Sequence, residues 1–144
     1  MHTRCVVSLL ALLAFLALSR PAVASVDLGV GADWIKNARS EFNLTLGVDK
    51  ALARFISIGG RAGAAFFENS DKIGVPVDLK LGIHIQKIYF EGLIGPWMIF
   101  DASDLFYLHV AFGFGLESRV LAGGLEVGRL DHATMVGFRL MIKL

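Results

Sequence analysis

From residue 26 to the end, the chain repeats one pattern: apolar side chains at every second position, with small, polar or charged residues between them. This period of two marks strands that present one apolar face. It predicts eight strands, near 26–35, 41–49, 55–66, 74–85, 87–97, 105–117, 120–129 and 134–144. Between them lie short segments rich in small, polar and charged residues, namely 36–40, 50–54, 68–72, 85–87, 101–104, 118–119 and 130–133. Connections this short allow only an antiparallel meander. Each strand is close to the roughly 9–11 residues that cross a bilayer when tilted.

Sorting the strands by face separates two chemistries. One face carries Leu28, Val30, Trp34, Leu44, Leu46, Val77, Leu79, Leu81, Val110, Phe112, Phe114, Val136, Phe138 and Leu140, none of them charged. The other carries Asp27, Asp33, Asp49, Arg61, Asp78, Lys80, Lys87, Glu91, Glu117, Glu126, Arg139 and Lys143, together with most of the strand glycines.

Volume decides which face points inward. An eight-stranded barrel has an interior just wide enough for its own side chains. The bulky apolar set is too large for that space but can coat the outside, whereas glycines mixed with long charged residues fit a narrow lumen. A solvated exterior would gain nothing from so many glycines, each of which weakens a strand. The expectation is therefore an all-β, eight-stranded antiparallel up-and-down transmembrane barrel with its apolar face in lipid. The competing arrangement is a soluble, lipocalin-like barrel with that face around a ligand cavity.

Aromatic positions fit the membrane reading. With the termini periplasmic, Trp34, Phe66 and Trp97 end outward-running strands, and Phe42 and Phe106 begin inward-running ones. All five would lie at one rim, as an interfacial girdle requires. On the lumen face, counting back from each hairpin sets Arg61 opposite Asp78, Lys80 opposite Glu91, Lys87 opposite Glu117 and Glu126 opposite Arg139; closure brings Lys143 toward Asp27. Buried charges must be paired, so these ten residues are the expected lumen charge network.

Composition and the N-terminal segment add location. Hydrophobic residues make up 55% of the chain and charged ones only 19%, which suits a membrane protein. Residues 1–24 read as a secretory signal peptide: Arg4, then an apolar run from Val6 to Leu18, then Ala22-Val23-Ala24 before Ser25. The run, ended by Arg20 and Pro21, is shorter than the roughly 20 residues of a spanning helix. Residues 25–144 then form the barrel. The one cysteine, Cys5, falls in the leader, so no thiol or disulfide chemistry is expected of the barrel. The 14 basic and 13 acidic residues include Arg4 and Arg20 of the leader; without them the balance is 12 against 13, which gives no electrostatic basis for binding nucleic acid.

With leader, strand count, alternation and final strand in place, residues 25–144 resemble the small eight-stranded outer-membrane barrels of Gram-negative bacteria, the OmpA/OmpX type. The final strand, Val136-Gly-Phe138-Arg-Leu140-Met-Ile142-Lys-Leu144, resembles the family's assembly signal, although members commonly end in an aromatic residue and this chain ends in Leu144. The resemblance implies location in the outer membrane and insertion by its assembly machinery through that strand. It names no activity.

Candidate chemistry is sparse. His84 and His109 are predicted to face the lumen and His132 a loop, while Ser57 lies low on the third strand and Ser103 in a loop. Neither serine has an acidic or histidine neighbour in sequence of the kind a hydrolase needs. There is no HExxH, no calcium loop and no ligand cluster, and Gly29-Val-Gly31 and Gly113-Phe-Gly115 lie inside strands, where no helix follows to hold a phosphate. Asp101–Asp104 and Glu68–Asp71 read as solvated turn tips. The expectation is a monomeric barrel plugged by its own side chains, in contact with outer-membrane lipid. It has a structural or interaction role and no cofactor, metal or catalysis. The alternatives are a lipid-modifying enzyme of the outer membrane and the soluble ligand-binding barrel.

Overall fold

A computed structural model describes residues 24–36, 40–68 and 70–144; all but one residue of the expected signal peptide lie outside these. Among the described residues every regular element is a strand: β1 (Ala24–Ile35), β2 (Ser40–Ala51), β3 (Ile56–Phe67), β4 (Ile73–Ile85), β5 (Ile88–Ile99), β6 (Phe106–Glu117), β7 (Leu121–Leu130) and β8 (Ala133–Lys143). Each pairs antiparallel with the next, and β8 returns to β1 to close the barrel. Closure leaves no open edge, the condition a sheet must meet within hydrocarbon.

Two of the hairpins turn in two residues, Gln86-Lys87 between β4 and β5 and Asp131-His132 between β7 and β8. Gln86 and Asp131 take the left-handed conformation there, with φ of 57° and 52°. Asp131 also accepts a hydrogen bond at Oδ1 from the Leu108 amide at 2.8 Å, tying the turn to β6.

Alternation along each strand sets the two faces. Leu46, Ile58, Leu79, Leu81, Ile94, Leu108, Phe112 and Phe138 are exposed on the outside, and Asp33, Arg61, Asp78, Glu91, Glu126 and Arg139 are buried inside. The lipocalin-like arrangement is therefore not the one adopted. Four of the five expected girdle aromatics, Trp34, Phe42, Phe66 and Phe106, stand exposed at the rim opposite the chain termini. The fifth does not. Trp97 is 1% exposed and points into the lumen, because it shares the parity of Glu91 on β5.

Trp97 belongs to an apolar layer across the inside of the barrel at the loop end of β1, β3, β5, β7 and β8. It packs with Ile35, Ala65, Ile99, Leu130 and Met135. Buried charge thus fills the middle and the terminus end and reaches the far rim at Asp33 and Glu41, beside the apolar layer that caps the bore there.

Close approach of backbones explains part of the glycine content. A Cβ on Gly95, inside β5, would land on the carbonyl oxygen of Val77, with the Asp78 Cα at 2.7 Å. By contrast, a Cβ on Gly92, on the outer face, would meet nothing within 4 Å. Gly95→Ala is expected to destabilise the barrel by at least about 1–3 kcal/mol through overpacking. Gly92→Ala should leave it nearly unchanged. Urea titration of both variants in phospholipid vesicles checks the contrast.

Candidate functional site

The lumen side chains fall into layers. In the middle, Glu126 is fully buried on β7 and gathers cations from two sides. Arg61 Nη1 and Nη2 donate to its two carboxylate oxygens at 2.8 and 3.0 Å, and Arg139 Nη2 donates to Oε1 at 3.3 Å. Arg61 Nε also donates to Asp78 at 3.0 Å, and Asp78 accepts from His109 Nδ1 at 2.7 Å. The other His109 nitrogen lies 3.4 Å from Glu126, and its ring rests 4.9 Å from that of Trp97. Arg139 grips Asp33 with two parallel bonds of 2.7 Å, the fork geometry at which guanidinium and carboxylate match best. Asn43 extends the chain by donating to Asp33 and Glu41 at 2.7 and 2.9 Å. Within this buried cluster Arg61, Arg139, Asp33, Asp78 and Glu126 each have an opposite partner, as burial requires, whereas Glu41 meets only the neutral amide of Asn43.

Nearer the termini, Lys80 Nζ sits 2.7 Å from Asp49 and 3.5 Å from Asp27. At the mouth itself four strands contribute a continuous relay. Ser57 on β3 lies with Oγ 2.9 Å from His84 Nε2 on β4. His84 Nδ1 lies 2.7 Å from Glu117 Oε1 on β6, and Lys143 Nζ on β8 donates to Glu117 Oε2 at 2.5 Å. A carboxylate only accepts, so Nδ1 carries the proton; in the neutral ring Nε2 then accepts the Ser57 hydroxyl. These groups border a cavity of about 280 Å³ that also touches Asp49, Arg54 and Phe55. A second cavity, about 510 Å³, opens at the other mouth above the apolar plug and is lined by Ile35, Phe67, Tyr107 and Leu130. Ile35 and Leu130 of the plug line its inner wall.

Set against the expected pairs, the geometry agrees in part. Arg61 and Asp78 face each other in register and bond. Glu126 and Arg139 make contact although the strand register sets Gly124 against Arg139, because the long guanidinium reaches diagonally. The other three pairs need correction. The two-residue turn shifts β5 so that Gly82, not Lys80, stands opposite Glu91, and Lys80 turns instead to Asp49 and Asp27. Lys87 stands beside Glu117, whose amide donates to the Lys87 carbonyl at 2.8 Å, but its side chain is exposed on the turn. Lys143 is in register with Asp27 yet gives its ammonium to Glu117. Sequence reasoning also left Asp33, Glu41, Asn43, Asp49 and His109 out of the network. Alternation already places Asp33 and Asp49 on the lumen face; what it does not give is their partners, Arg139 and Lys80. The relay at Ser57 was missed as well. Its members are 27 and 33 residues apart in sequence: Ser57 and His84 meet across the β3–β4 pair, and Glu117 reaches His84 from β6, beyond the neighbouring strand.

No family model matches the sequence, and no curated protein matches it. Solved structures do. A de novo designed transmembrane β-barrel superposes with a TM-score of 0.64 at 14% identity, covering 88% of this chain and 98% of that one. Ail, the attachment invasion locus protein of Yersinia pestis, gives 0.52 at 14% identity over 87% of this chain and 100% of its own. Neisserial surface protein A gives 0.57 at 9% identity over 84% and 94%. The fold is that of the small eight-stranded transmembrane barrels, a group that includes these outer-membrane proteins.

Proposed function

We propose that this protein is an integral barrel of the bacterial outer membrane, sealed through its centre and serving a structural or interaction role rather than transport. The observation that carries the reading is the inversion of polarity: large apolar side chains are exposed all round the outside, while carboxylates and guanidiniums are buried within. A water-soluble chain would gain nothing from that arrangement, and in lipid it is the low-energy one. The likeness of the fold to Ail and Neisserial surface protein A supports the same location. In this reading the outer face meets lipid, the chain is monomeric, and the strand Val136–Leu144 is what the assembly machinery engages. The plug rests on the apolar layer around Trp97 and Met135 and on the paired charges beneath it. With an interior already filled by side chains, little cross-section remains for solute.

Membranes of an expressing Gram-negative host provide the test. The protein is expected to stay in the outer-membrane fraction through an alkaline carbonate wash, and the purified barrel should give no sustained conductance in a planar bilayer. Release into the wash as a soluble species would overturn the membrane assignment. Stable channel steps would overturn the seal.

A further inference from the structure

We infer that the terminus-end mouth of the barrel carries a serine nucleophile, Ser57, served by His84 as general base and by Glu117 as positioning residue, and that it acts on short-chain acyl esters. The inference goes beyond a structural role and does not depend on which compartment the mouth faces. Three observations carry it. First, the order and spacing are those of nucleophile, base and orienter, with Oγ to Nε2 at 2.9 Å and Nδ1 to carboxylate at 2.7 Å. Second, the array is anchored. Its members sit on three different strands of a closed barrel, and Lys143 from a fourth fixes the free oxygen of Glu117. Third, it faces open space. Unlike the network around Glu126, Ser57 and His84 border the cavity of about 280 Å³; the His84 side chain is 38% exposed, and Ser57, itself 7% exposed, is reached through that cavity.

Local sequence preserves that access. Gly82 stands directly across from Ser57, and a Cβ there would lie 2.5 Å from Ser57 Oγ and 2.8 Å from His84 Nε2. Any side chain at position 82 would therefore force the pair apart. Arg54 and Lys143 also border the cavity, Lys143 with its ammonium held by Glu117 and Arg54 stacked 5.1 Å from the Phe55 ring centroid. The cavity lies just below the roughly 300–1,000 Å³ of typical ligand sites, which limits the substrate to a small acyl group.

In the reaction Ser57 Oγ attacks the ester carbonyl carbon while its proton passes to His84 Nε2. Glu117 holds Nδ1–H and steadies the imidazolium. The tetrahedral adduct collapses with cleavage of the C–O bond, and the alcohol leaves with the proton from Nε2. Water, deprotonated by the same nitrogen, then attacks the acyl-serine, and the acid is released as Ser57 recovers its proton.

A fluorophosphonate probe tests the nucleophile without knowledge of the natural ester: the Oγ–P bond forms, the P–F bond breaks, and fluoride and a proton are released. The full-length barrel, purified from membranes and checked as folded by its heat-modifiable migration, is expected to label at Ser57, as located by peptide mass spectrometry. Ser57→Ala should not label. His84→Gln should label at least about 100-fold more slowly, the lower end of what a positioned base contributes. Should His84→Gln fail to fold, hydrolysis of p-nitrophenyl acetate by wild type against Ser57→Ala, a change of a single buried oxygen, decides the matter. A folded wild type that stays unlabelled, labelling at another residue, equal rates in wild type and folded His84→Gln, or equal hydrolysis by wild type and Ser57→Ala would each overturn the inference. None of these outcomes bears on whether the protein resides in the outer membrane.

Discussion

Glu126→Leu is expected to cost about 3–5 kcal/mol of folding stability, because it leaves buried charges without their partner. Glu126 has no exposed surface and takes three bonds from two guanidiniums, with a His109 nitrogen 3.4 Å away. Removing its carboxylate strands Arg139 with Asp33 alone and Arg61 with Asp78 alone, in an interior where water does not replace what is lost. Desolvation of these groups has already been met in the folded state, so loss of the attraction falls almost wholly on stability. The measurement is equilibrium unfolding in urea of the barrel in phospholipid vesicles, with reversibility checked by matching unfolding and refolding curves. A double-mutant cycle refines it. Arg61→Leu combined with Glu126→Leu should cost less than the two single changes added together, with a coupling in the 0.5–3 kcal/mol range of groups in contact. A loss below about 1 kcal/mol for Glu126→Leu would mean that the central network is hydrated, and the sealed lumen would then be wrong.

Leu79→Arg should cost about 2–4 kcal/mol, and the size should depend on depth. Leu79 lies at the middle of the 13-residue strand β4 and is 68% exposed on the outer face. A guanidinium there enters the hydrocarbon midplane unless its stem reaches the interface. Leu116 is equally exposed but sits one residue from the end of β6, where the same substitution falls to about 0–1 kcal/mol. Comparing the two variants in the same vesicles separates lipid from water as the outer medium. A water-facing exterior predicts near-zero costs at both positions, because a solvated arginine replaces an exposed leucine.

The contrast between these two predictions mirrors what was readable from the chain. Leu79 is assigned to the outer face by alternation alone, since its neighbours Asp78 and Lys80 mark the other face. Trp97 was placed at the rim by its position near a strand end, although the same alternation, counted from Glu91, puts it inside. Parity, not the aromatic preference for an interface, sets the side of the strand on which Trp97 lies. Lys87 was misjudged for a different reason: a two-residue turn ends β4 at Ile85 and resumes at Ile88, so position 87 lies on the turn rather than in the wall.

Strand number, strand positions, the meander and the identity of the two faces were determined by the sequence by itself. A pleated strand alternates faces with a period of two, and that property is local. Short polar connections add antiparallel order, and side-chain volume adds which face must be outside. The partners inside the lumen were decided only by the tertiary structure. Arg61 meets Glu126 from 65 residues away and Arg139 meets Asp33 from 106, across a bore narrow enough for long side chains to span. Those encounters depend on the register at every hairpin, on the closure of β8 against β1, and on the reach of each side chain, none of which is a local property of the chain. The same holds at the mouth. Ser57, His84 and Glu117 each read as an ordinary lumen residue of its own strand, and only the closed barrel brings the three within hydrogen-bonding distance.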